Sequence, residues 1–270
     1  MKMSPKKLTA PAIRAMKKSG ARIVALTAAD FITTRLLDEA GVDIILVGDS
    51  LGTTVLGYES TVSVSMREML HHLKAVTRAR PKSLVVADMP FGSYHQSVAQ
   101  AVRNAVRLVR EGGADAVKLE GGESQKEKIR AIAETGIPVI AHIGLLPQSV
   151  LREGGYRVQG KTPLQAERLK KDLRAVERAG AFACVLEYVR ASVARKLTRY
   201  ATIPTIGIGS GPGCDGQVLV TSDLLGLQTW LAPRAARHYA EIGRVMCDAF
   251  RHFADDVRKG RFPTKRESFE

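Results

Sequence analysis

The sequence predicts a (β/α)8 barrel, and three observations support this fold class. Eight short apolar runs, rich in β-branched residues, alternate with charged stretches of helical periodicity. Runs that are apolar almost throughout are typical of strands buried on both faces, and strands separated by helices pair in parallel. The 270 residues also allow about 34 residues for each of eight strand–helix units, close to the roughly 250 residues of this fold.

The apolar runs give the expected strands, and the intervals between them give the expected helices. Helical periodicity is clear over residues 98–109 and 164–176, for example. We also expect a helical extension at the N-terminus and helices after Pro233. Because no linker rich in Pro, Gly or Ser divides the chain, we predict one barrel domain over residues 1–270. The predicted strands span residues 22–28, 43–49, 83–89, 116–121, 138–144, 182–188, 204–210 and 217–221.

A weak internal repeat supports the barrel. Four segments share one layout, in which the end of a helix is followed by a glycine and then by a buried strand. Glycine tolerates the left-handed conformation that ends a helix, so each repeat predicts a turn from helix into strand. The segments are EAGVDIILVGD (39–49), EGGADAVKLEG (111–121), ETGIPVIAHIG (134–144) and ERAGAFACVLE (177–187).

Polar side chains end these strands. In a parallel barrel the carboxyl ends of all strands lie on one face, and that face carries the active site. A polar residue at a single strand end also commonly marks the point where a strand leaves the core. Because the pattern recurs, we expect six such side chains to converge on one cavity. They are Asp49, Asp88, Lys118, Glu120, His142 and Glu187.

Several carboxylates in one cavity predict a bound cation, because like charges repel unless a positive charge lies among them. Oxygen ligands favour Mg²⁺ or Mn²⁺ over zinc. We interpret His142 as a hydrogen-bond donor to the substrate, with metal ligation as the alternative. Asp43 and Asp115 stand at strand starts, so we expect them to cap helices or to support the opposite, structural face.

Two further motifs lie beside the predicted strand ends. Ser50 directly follows Asp49 and is either a hydrogen-bond donor to substrate or the cap of a helix or turn. The segment GIGSGPG (207–213) has Pro212 where the dinucleotide-binding pattern requires its last glycine. We therefore interpret it as a tight loop that brings backbone close to the cavity.

The charge of the chain limits its partners. Forty-one Lys and Arg residues against 27 Asp and Glu residues give a formal net charge of +14. Such a charge is compatible with nucleic-acid binding, which steep salt-dependent retention on duplex DNA would support. The basic residues are spread along the chain, however, and aromatic residues make up only 5%. We expect no nucleic-acid partner and favour small anionic substrates.

Location and redox state are also predicted. No apolar run approaches about 18 residues, so no transmembrane helix is expected. The basic N-terminal segment lacks the apolar stretch of a secretory signal. Cys184, Cys214 and Cys247 are odd in number and widely spaced, which is typical of free thiols in a reducing cytosol. We therefore predict a soluble cytoplasmic protein with no membrane partner.

At these same residues the chain resembles the ketopantoate hydroxymethyltransferase family. The blocks occur in order through nearly the whole chain, from about residue 21 to the terminal ESF (267–269), so the match is specific. They are LVGDSLG (46–52), VADMPF (86–91), VKLEGG (117–122), AHIGLLPQSV (141–150), GGYRVQG (154–160), LE (186–187) and IGIGSGPGCDGQVLV (206–220). The chain departs from the usual family pattern at Ala29, Arg190 and Ser210, where tyrosine, proline and alanine are common.

The resemblance implies a barrel of the phosphoenolpyruvate/pyruvate type, usually assembled as a homodecamer. It implies transfer of a hydroxymethyl group from 5,10-methylenetetrahydrofolate to 3-methyl-2-oxobutanoate through a Mg²⁺-stabilised enolate, giving 2-dehydropantoate for pantothenate and coenzyme A biosynthesis. Glu187 would accept the proton, with Lys118 and His142 as further catalytic groups. The implied metal ligands are Asp49, Asp88 and Glu120, and the implied substrate contacts are Asp49, Ser50, Asp88 and Lys118. The alternative is a Mg²⁺-dependent lyase or mutase of the same barrel group acting on another 2-oxo acid.

Overall fold

A computed structural model describes residues 7–228 and 236–269, and it contains the predicted closed barrel. Eight parallel strands follow one another around the barrel, and the last pairs with the first. Each strand lies within its predicted range except the eighth, which starts and ends earlier than predicted. The strands are β1 Ile23–Thr27, β2 Ile44–Val47, β3 Leu84–Asp88, β4 Ala116–Glu120, β5 Val139–Gly144, β6 Ala183–Glu187, β7 Thr205–Ile208 and β8 Gly216–Leu219.

Helices connect the strands, which confirms the alternation seen in the sequence. The two intervals of clearest periodicity are helical over Val98–Arg110 and Pro163–Arg178. A helix also precedes β1 as predicted, whereas Pro233 lies outside the described residues. The α-helices are α1 Ala10–Ser19, α2 Phe31–Glu39, α3 Leu51–Thr54, α4 Met66–Arg78, α5 Val98–Arg110, α6 Lys126–Glu134, α7 Val150–Glu153, α8 Pro163–Arg178, α9 Ala191–Tyr200, α10 Thr221–Leu224 and α11 Ile242–Arg258.

The hydrophobic core has two layers, because alternate residues of each strand point to opposite faces of the sheet. An outer layer joins strand residues such as Ile45 to helix residues such as Leu73. An inner layer fills the barrel with residues such as Ile44 and Val86, and Ile13 of α1 belongs to it. Helix α1 therefore packs against the barrel interior.

The predicted repeat is visible in the backbone. Gly41, Gly113, Gly136 and Gly180 all have positive φ angles between 75° and 97° at the helix-to-strand turns. Asp43 and Asp115 accept hydrogen bonds from the backbone N–H groups of Val24 and Val85, each at 2.8 Å. These aspartates therefore support the strand starts, at the end of the barrel opposite to the predicted site.

The described chain divides into two compact units after Leu219. The first unit holds all eight strands, and the second holds α10 and α11. Helix α11 is largely exposed, including the apolar side chains of Val245, Phe250 and Phe253. Whether both units form one domain over residues 1–270 stays a prediction. Within residues 7–228 and 236–269, no helix has the length and apolarity needed to cross a membrane.

Candidate active site

Six polar side chains meet at the carboxyl ends of neighbouring strands, as the repeat predicted. Five of them are at most 6% exposed, and Glu187 is partly exposed at the edge of the cluster. Their positions follow from the barrel, because β2 to β6 are consecutive neighbours and run in parallel. The residues are Asp49 just after β2, Asp88 on β3, Lys118 and Glu120 on β4, His142 on β5 and Glu187 on β6.

Lys118 lies at the centre of this cluster. Its Nζ is 2.9 Å from Oδ1 of Asp88 and 3.3 Å from Nδ1 of His142. Burial by itself lowers the pKa of Lys118, but the surrounding carboxylates, Asp88 foremost, outweigh burial and raise it above its ordinary value. Lys118 therefore stays charged and offers a fixed positive charge inside the barrel.

His142 links Lys118 to Glu187. Burial, followed by the nearby charge of Lys118, lowers the pKa of His142, so the ring is neutral near pH 7. The ammonium group of Lys118 is only a donor, so Nδ1 of His142 accepts and Nε2 carries the hydrogen. Nε2 lies 3.1 Å from Oε2 of Glu187, but the pair is not aligned for a hydrogen bond, so this buried nitrogen has no hydrogen-bond partner among the described residues. Both ring nitrogens thus contact protein side chains, and the predicted contact of His142 with substrate stays a prediction.

Gln148 holds two of the carboxylates and was not predicted from the sequence. Its Nε2 donates to Oδ2 of Asp49 at 2.8 Å and to the carbonyl of Met89 at 3.0 Å. Its backbone N–H donates to Oε2 of Glu120 at 3.0 Å. The hydroxyl of the buried Tyr94 donates to Oε1 of Gln148 at 2.7 Å and so fixes the orientation of the amide. The one signal for Gln148 in the sequence is that it lies in AHIGLLPQSV (141–150), one of the blocks that resemble the family.

Burial disfavours the charged forms of the carboxylates in this cluster. Burial, and next the charge of Asp88, raises the pKa of Asp49 to about 7. Burial, and next the charge of Asp49, raises the pKa of Glu120 well above its ordinary value. A positive charge placed between these groups would relieve both penalties, which is the condition that favours metal binding.

The donor set fits a hard cation. In the described parts of the chain, no three His, Cys, Asp or Glu side chains form a ready-made metal cluster. Mg²⁺ does not need one, because it commonly binds one or two carboxylates and keeps several waters. Asp49 and Asp88 are adjacent, since the N–H of Asp49 donates to Oδ2 of Asp88 at 3.0 Å. A role for Glu120 in the metal site stays a prediction.

Ser50 does not act as a helix cap. It occupies the N-cap position of α3, but its side chain makes no capping hydrogen bond. A Cβ atom on Gly48 would come within 3.1 Å of the Ser50 hydroxyl and 3.5 Å of Oδ2 of Asp88, so glycine leaves room beside both groups. The capping interpretation was therefore wrong, and contact between Ser50 and substrate stays a prediction.

Backbone contacts fix the position of Glu187. Gly144 has a φ of +103°, and a Cβ atom there would collide with the carbonyl oxygen of Glu187. On the other side, the buried hydroxyl of Ser210 donates to the carbonyl of Leu186 at 2.7 Å and accepts from the N–H of Val189 at 2.9 Å. The tight glycine loop thus ties the backbone on both sides of Glu187, and Ser210 supplies a bond that alanine would not.

The other two departures from the family pattern also have structural contacts. The carbonyl of Ala29 lies 2.8 Å from Nδ1 of His72. Arg190 is exposed, and its N–H donates to the carbonyl of Gln159 at 2.9 Å. Neither residue contacts the carboxylate cluster through these bonds, so both leave its geometry intact.

Comparison with known proteins agrees with the site. A family model described as ketopantoate hydroxymethyltransferase matches residues 7–265. The chain belongs to the ketopantoate hydroxymethyltransferase family. The 3-methyl-2-oxobutanoate hydroxymethyltransferase of Moorella thermoacetica is 52% identical over 264 residues, covering 98% of both chains. That of Ignicoccus hospitalis is 53% identical over 258 residues, covering 96% of this chain and 97% of the relative.

Solved structures confirm the predicted barrel type for this member of the ketopantoate hydroxymethyltransferase family. A phosphonopyruvate hydrolase, crystallised with oxalate and Mg²⁺, has a TM-score of 0.62 at 16% identity, covering 96% of this chain and 93% of that one. A 2,3-dimethylmalate lyase of the PEP mutase/isocitrate lyase superfamily has a TM-score of 0.62 at 18% identity, covering 97% and 92%. At these identities the likeness concerns the fold alone.

Removing the Gln148 amide is expected to impair this family member without unfolding it. Gln148→Leu keeps a similar volume but removes the donor to Asp49 and the acceptor of the 2.7 Å bond from the Tyr94 hydroxyl. Groups that orient ligating carboxylates commonly contribute about 10–100-fold to metal affinity or activity, and we expect a loss of that size in kcat/KM. The Mg²⁺ concentration for half-maximal activity should rise as well. Exposed Gln96 provides the control Gln96→Leu, and equal kinetics of the two variants would contradict the role of Gln148.

The raised pKa of Asp49 predicts a pH-dependent stability of the metal-free protein. The folded pKa of about 7 lies above the ordinary value of 3.8, so the folded chain binds a proton that the unfolded chain has lost. The stabilisation of the fold by this proton is complete below the ordinary pKa of 3.8 and is lost as pH rises through the folded pKa of about 7. The free energy of unfolding should therefore fall between about pH 4 and about pH 7, and fall less in Asp49→Asn. Urea titrations in EDTA test this, and equal decreases in both proteins would contradict it.

Proposed function

We propose that this chain transfers a hydroxymethyl group from 5,10-methylenetetrahydrofolate to 3-methyl-2-oxobutanoate, forming 2-dehydropantoate for pantothenate and coenzyme A biosynthesis. The observation that supports this most directly is the continuous line of contacts from Asp88 through Lys118 and His142 to Glu187. In this line Glu187 would be the carboxylate base, separated from the positive charge of Lys118 by the neutral ring of His142, and both groups would serve proton removal next to a ketone. The names of the relatives are consistent with the same reaction.

Asp49 and Asp88 would hold Mg²⁺, and Glu120 would complete the site. When bound, the metal would act as a Lewis acid towards the carboxylate and ketone oxygens of the substrate. Ser50 and Lys118 lie beside Asp49 and Asp88 and would bind the same substrate oxygens. Because Lys118 is buried and charged, it would favour the carboxylate of the ketoacid and the negative charge that develops during reaction.

Glu187 would remove the proton from C3 of the ketoacid. Its partial exposure at the edge of the cluster leaves the carboxylate open to substrate, and Nε2 of His142 lies 3.1 Å from it. The C3 carbanion would then form a bond to the methylene carbon carried by the folate. Overall, one water supplies the hydroxyl oxygen and tetrahydrofolate leaves, so the equation balances without an oxidant or reductant.

One incubation tests this proposal. The protein is mixed with 3-methyl-2-oxobutanoate, 5,10-methylenetetrahydrofolate and Mg²⁺, and 2-dehydropantoate is measured by mass spectrometry. We expect product only when both substrates are present, and a loss of product with EDTA. Turnover of a 2-oxo acid without folate would instead support the alternative of a lyase or mutase of the same barrel group.

We also propose a cytoplasmic homodecamer that acts on small molecules and binds neither nucleic acid nor membrane. Exposed apolar side chains on α11, such as Val245, Phe250 and Phe253, support assembly between copies, because monomeric proteins rarely leave such a surface in water. Sedimentation velocity of the purified protein would measure the number of copies.

A further inference from the structure

A basic cavity lies along the groove between α8 and α9, and its lining includes none of the six residues of the carboxylate cluster. Its volume is about 580 Å³, and four cationic side chains line it. Among the described residues, Glu167 is the only carboxylate in the lining. The cationic residues are Lys161, Lys170, Arg190 and Lys196. The cavity therefore has an excess of positive charge that its own walls do not balance.

These four side chains are available to a ligand. In the described part of the chain, none of them lies at ion-pair distance from a carboxylate. Lys170 instead lies over the ring of Tyr200, with Nζ 5.0 Å from the ring centroid. The ring stabilises the ammonium group without neutralising it. Four like charges around one cavity favour an anion with several negative groups.

The start of α9 adds to this preference. Arg190 occupies the N-cap position and makes no side-chain hydrogen bond to the first turn. The first backbone N–H groups of a helix then need another acceptor, and the helix dipole favours a negative one. Ser192, in the same turn, also lines the cavity. Backbone and side chains therefore offer hydrogen-bond donors to the same ligand.

The cavity is joined to the active site by a short segment. Arg190 follows Glu187 by three residues, so their Cα atoms lie within about 11 Å of each other. The N–H of Gln159 donates to the carbonyl of Tyr188 at 2.7 Å, and the N–H of Arg190 donates to the carbonyl of Gln159. A ligand held beside Glu187 is thus within about 11 Å of the Cα atom of Arg190, one of the four cations.

We propose that this cavity binds the γ-linked glutamate tail of the folate co-substrate. The assignment rests on the proposed function, which needs a folate with its reactive carbon near Glu187. Each glutamate added to such a tail brings one further carboxylate, which matches a row of cations that have no carboxylate partners. A single exposed ion pair contributes little to affinity. Four such pairs together are expected to favour the longer tail about tenfold in affinity.

The test compares two co-substrates, 5,10-methylenetetrahydrofolate with one glutamate and with five. We expect the wild-type KM to be about tenfold lower for the pentaglutamate, and the preference to shrink at high salt. The quadruple variant Lys161→Gln, Lys170→Gln, Arg190→Gln, Lys196→Gln should lose that preference. Its kcat and its KM for the monoglutamate and for the ketoacid should stay unchanged, because none of the four residues belongs to the carboxylate cluster.

A matched control removes four other exposed cations, Lys74, Arg78, Arg103 and Arg110 on α4 and α5, and should keep the preference. Turnover that is independent of tail length, or a preference that survives in the quadruple variant, would overturn the tail site while leaving the proposed function intact. No turnover with either folate would overturn both. A quadruple variant that loses calorimetric binding of inorganic phosphate but keeps the tail preference would identify a site for a different anion.

Discussion

Glu187→Gln is expected to lose nearly all activity while folding normally and still binding the metal. Glutamine keeps the shape of the side chain and can still place an oxygen beside His142 Nε2, but it cannot take a proton from C3. A positioned general base contributes about 10²–10⁴-fold to rate, and we expect kcat to fall by that factor. Deuterium exchange at C3 of 3-methyl-2-oxobutanoate, followed by NMR without folate, isolates this step from the transfer that follows.

The control for this prediction is Glu134→Gln, at the exposed end of α6. It makes the same chemical change away from the site and should exchange C3 at the wild-type rate. Circular dichroism and Mg²⁺ titration establish that Glu187→Gln remains folded and binds metal. Exchange at the wild-type rate in Glu187→Gln would remove this residue from the role of base.

Asp88→Asn is expected to abolish the metal-dependent binding of the ketoacid. The substitution removes a carboxylate proposed to hold Mg²⁺ and deprives the ammonium group of Lys118 of its partner at 2.9 Å. Groups that only support metal ligands commonly contribute about 10–100-fold to affinity, so loss of a carboxylate proposed to hold the metal should raise the Kd of the ketoacid in Mg²⁺ by roughly 100-fold or more. Calorimetry with Mg²⁺ and with EDTA separates the metal-dependent part of the affinity.

Asp115→Asn is the matched control, because Asp115 supports a strand start at the other end of the barrel. This variant should bind the ketoacid with wild-type affinity even if its stability is reduced. If Asp88→Asn binds the ketoacid as the wild type does, with the same dependence on Mg²⁺, the proposed role of this carboxylate is wrong. Thermal unfolding of both variants shows whether a loss of binding reflects a loss of fold.

The repeat predicted the site because its signal is local. A glycine that ends a helix, a buried strand and a polar residue at the strand end all lie within about a dozen residues of one another in each unit. Parallel strands in a closed barrel then bring those polar residues to one face without further information. For this reason Asp49, Glu120, His142 and Glu187 were found from sequence alone, although they are far apart along the chain.

Gln148 and Tyr94 could not be found in this way. Tyr94 lies in an irregular segment after β3, and Gln148 lies in a single 3-10 turn after β5, so no periodicity indicates which side chains point inward. Their contacts with each other and with Asp49 depend on how separate loops pack together. The basic cavity escaped prediction for a similar reason, because its four cations come from separate segments on α8, α9 and their flanking residues.

By itself, the sequence determined the order of strands and helices, the parallel barrel and the face that carries the polar side chains. Those features follow from hydrophobic periodicity and from glycine at helix ends, which act over short distances along the chain. Only the tertiary structure decided how the neutral ring of His142 joins Lys118 to Glu187, and how the hydroxyl of Ser210 fixes the backbone around that base. Such contacts join residues that are distant in sequence, and their geometry is set by how the elements pack.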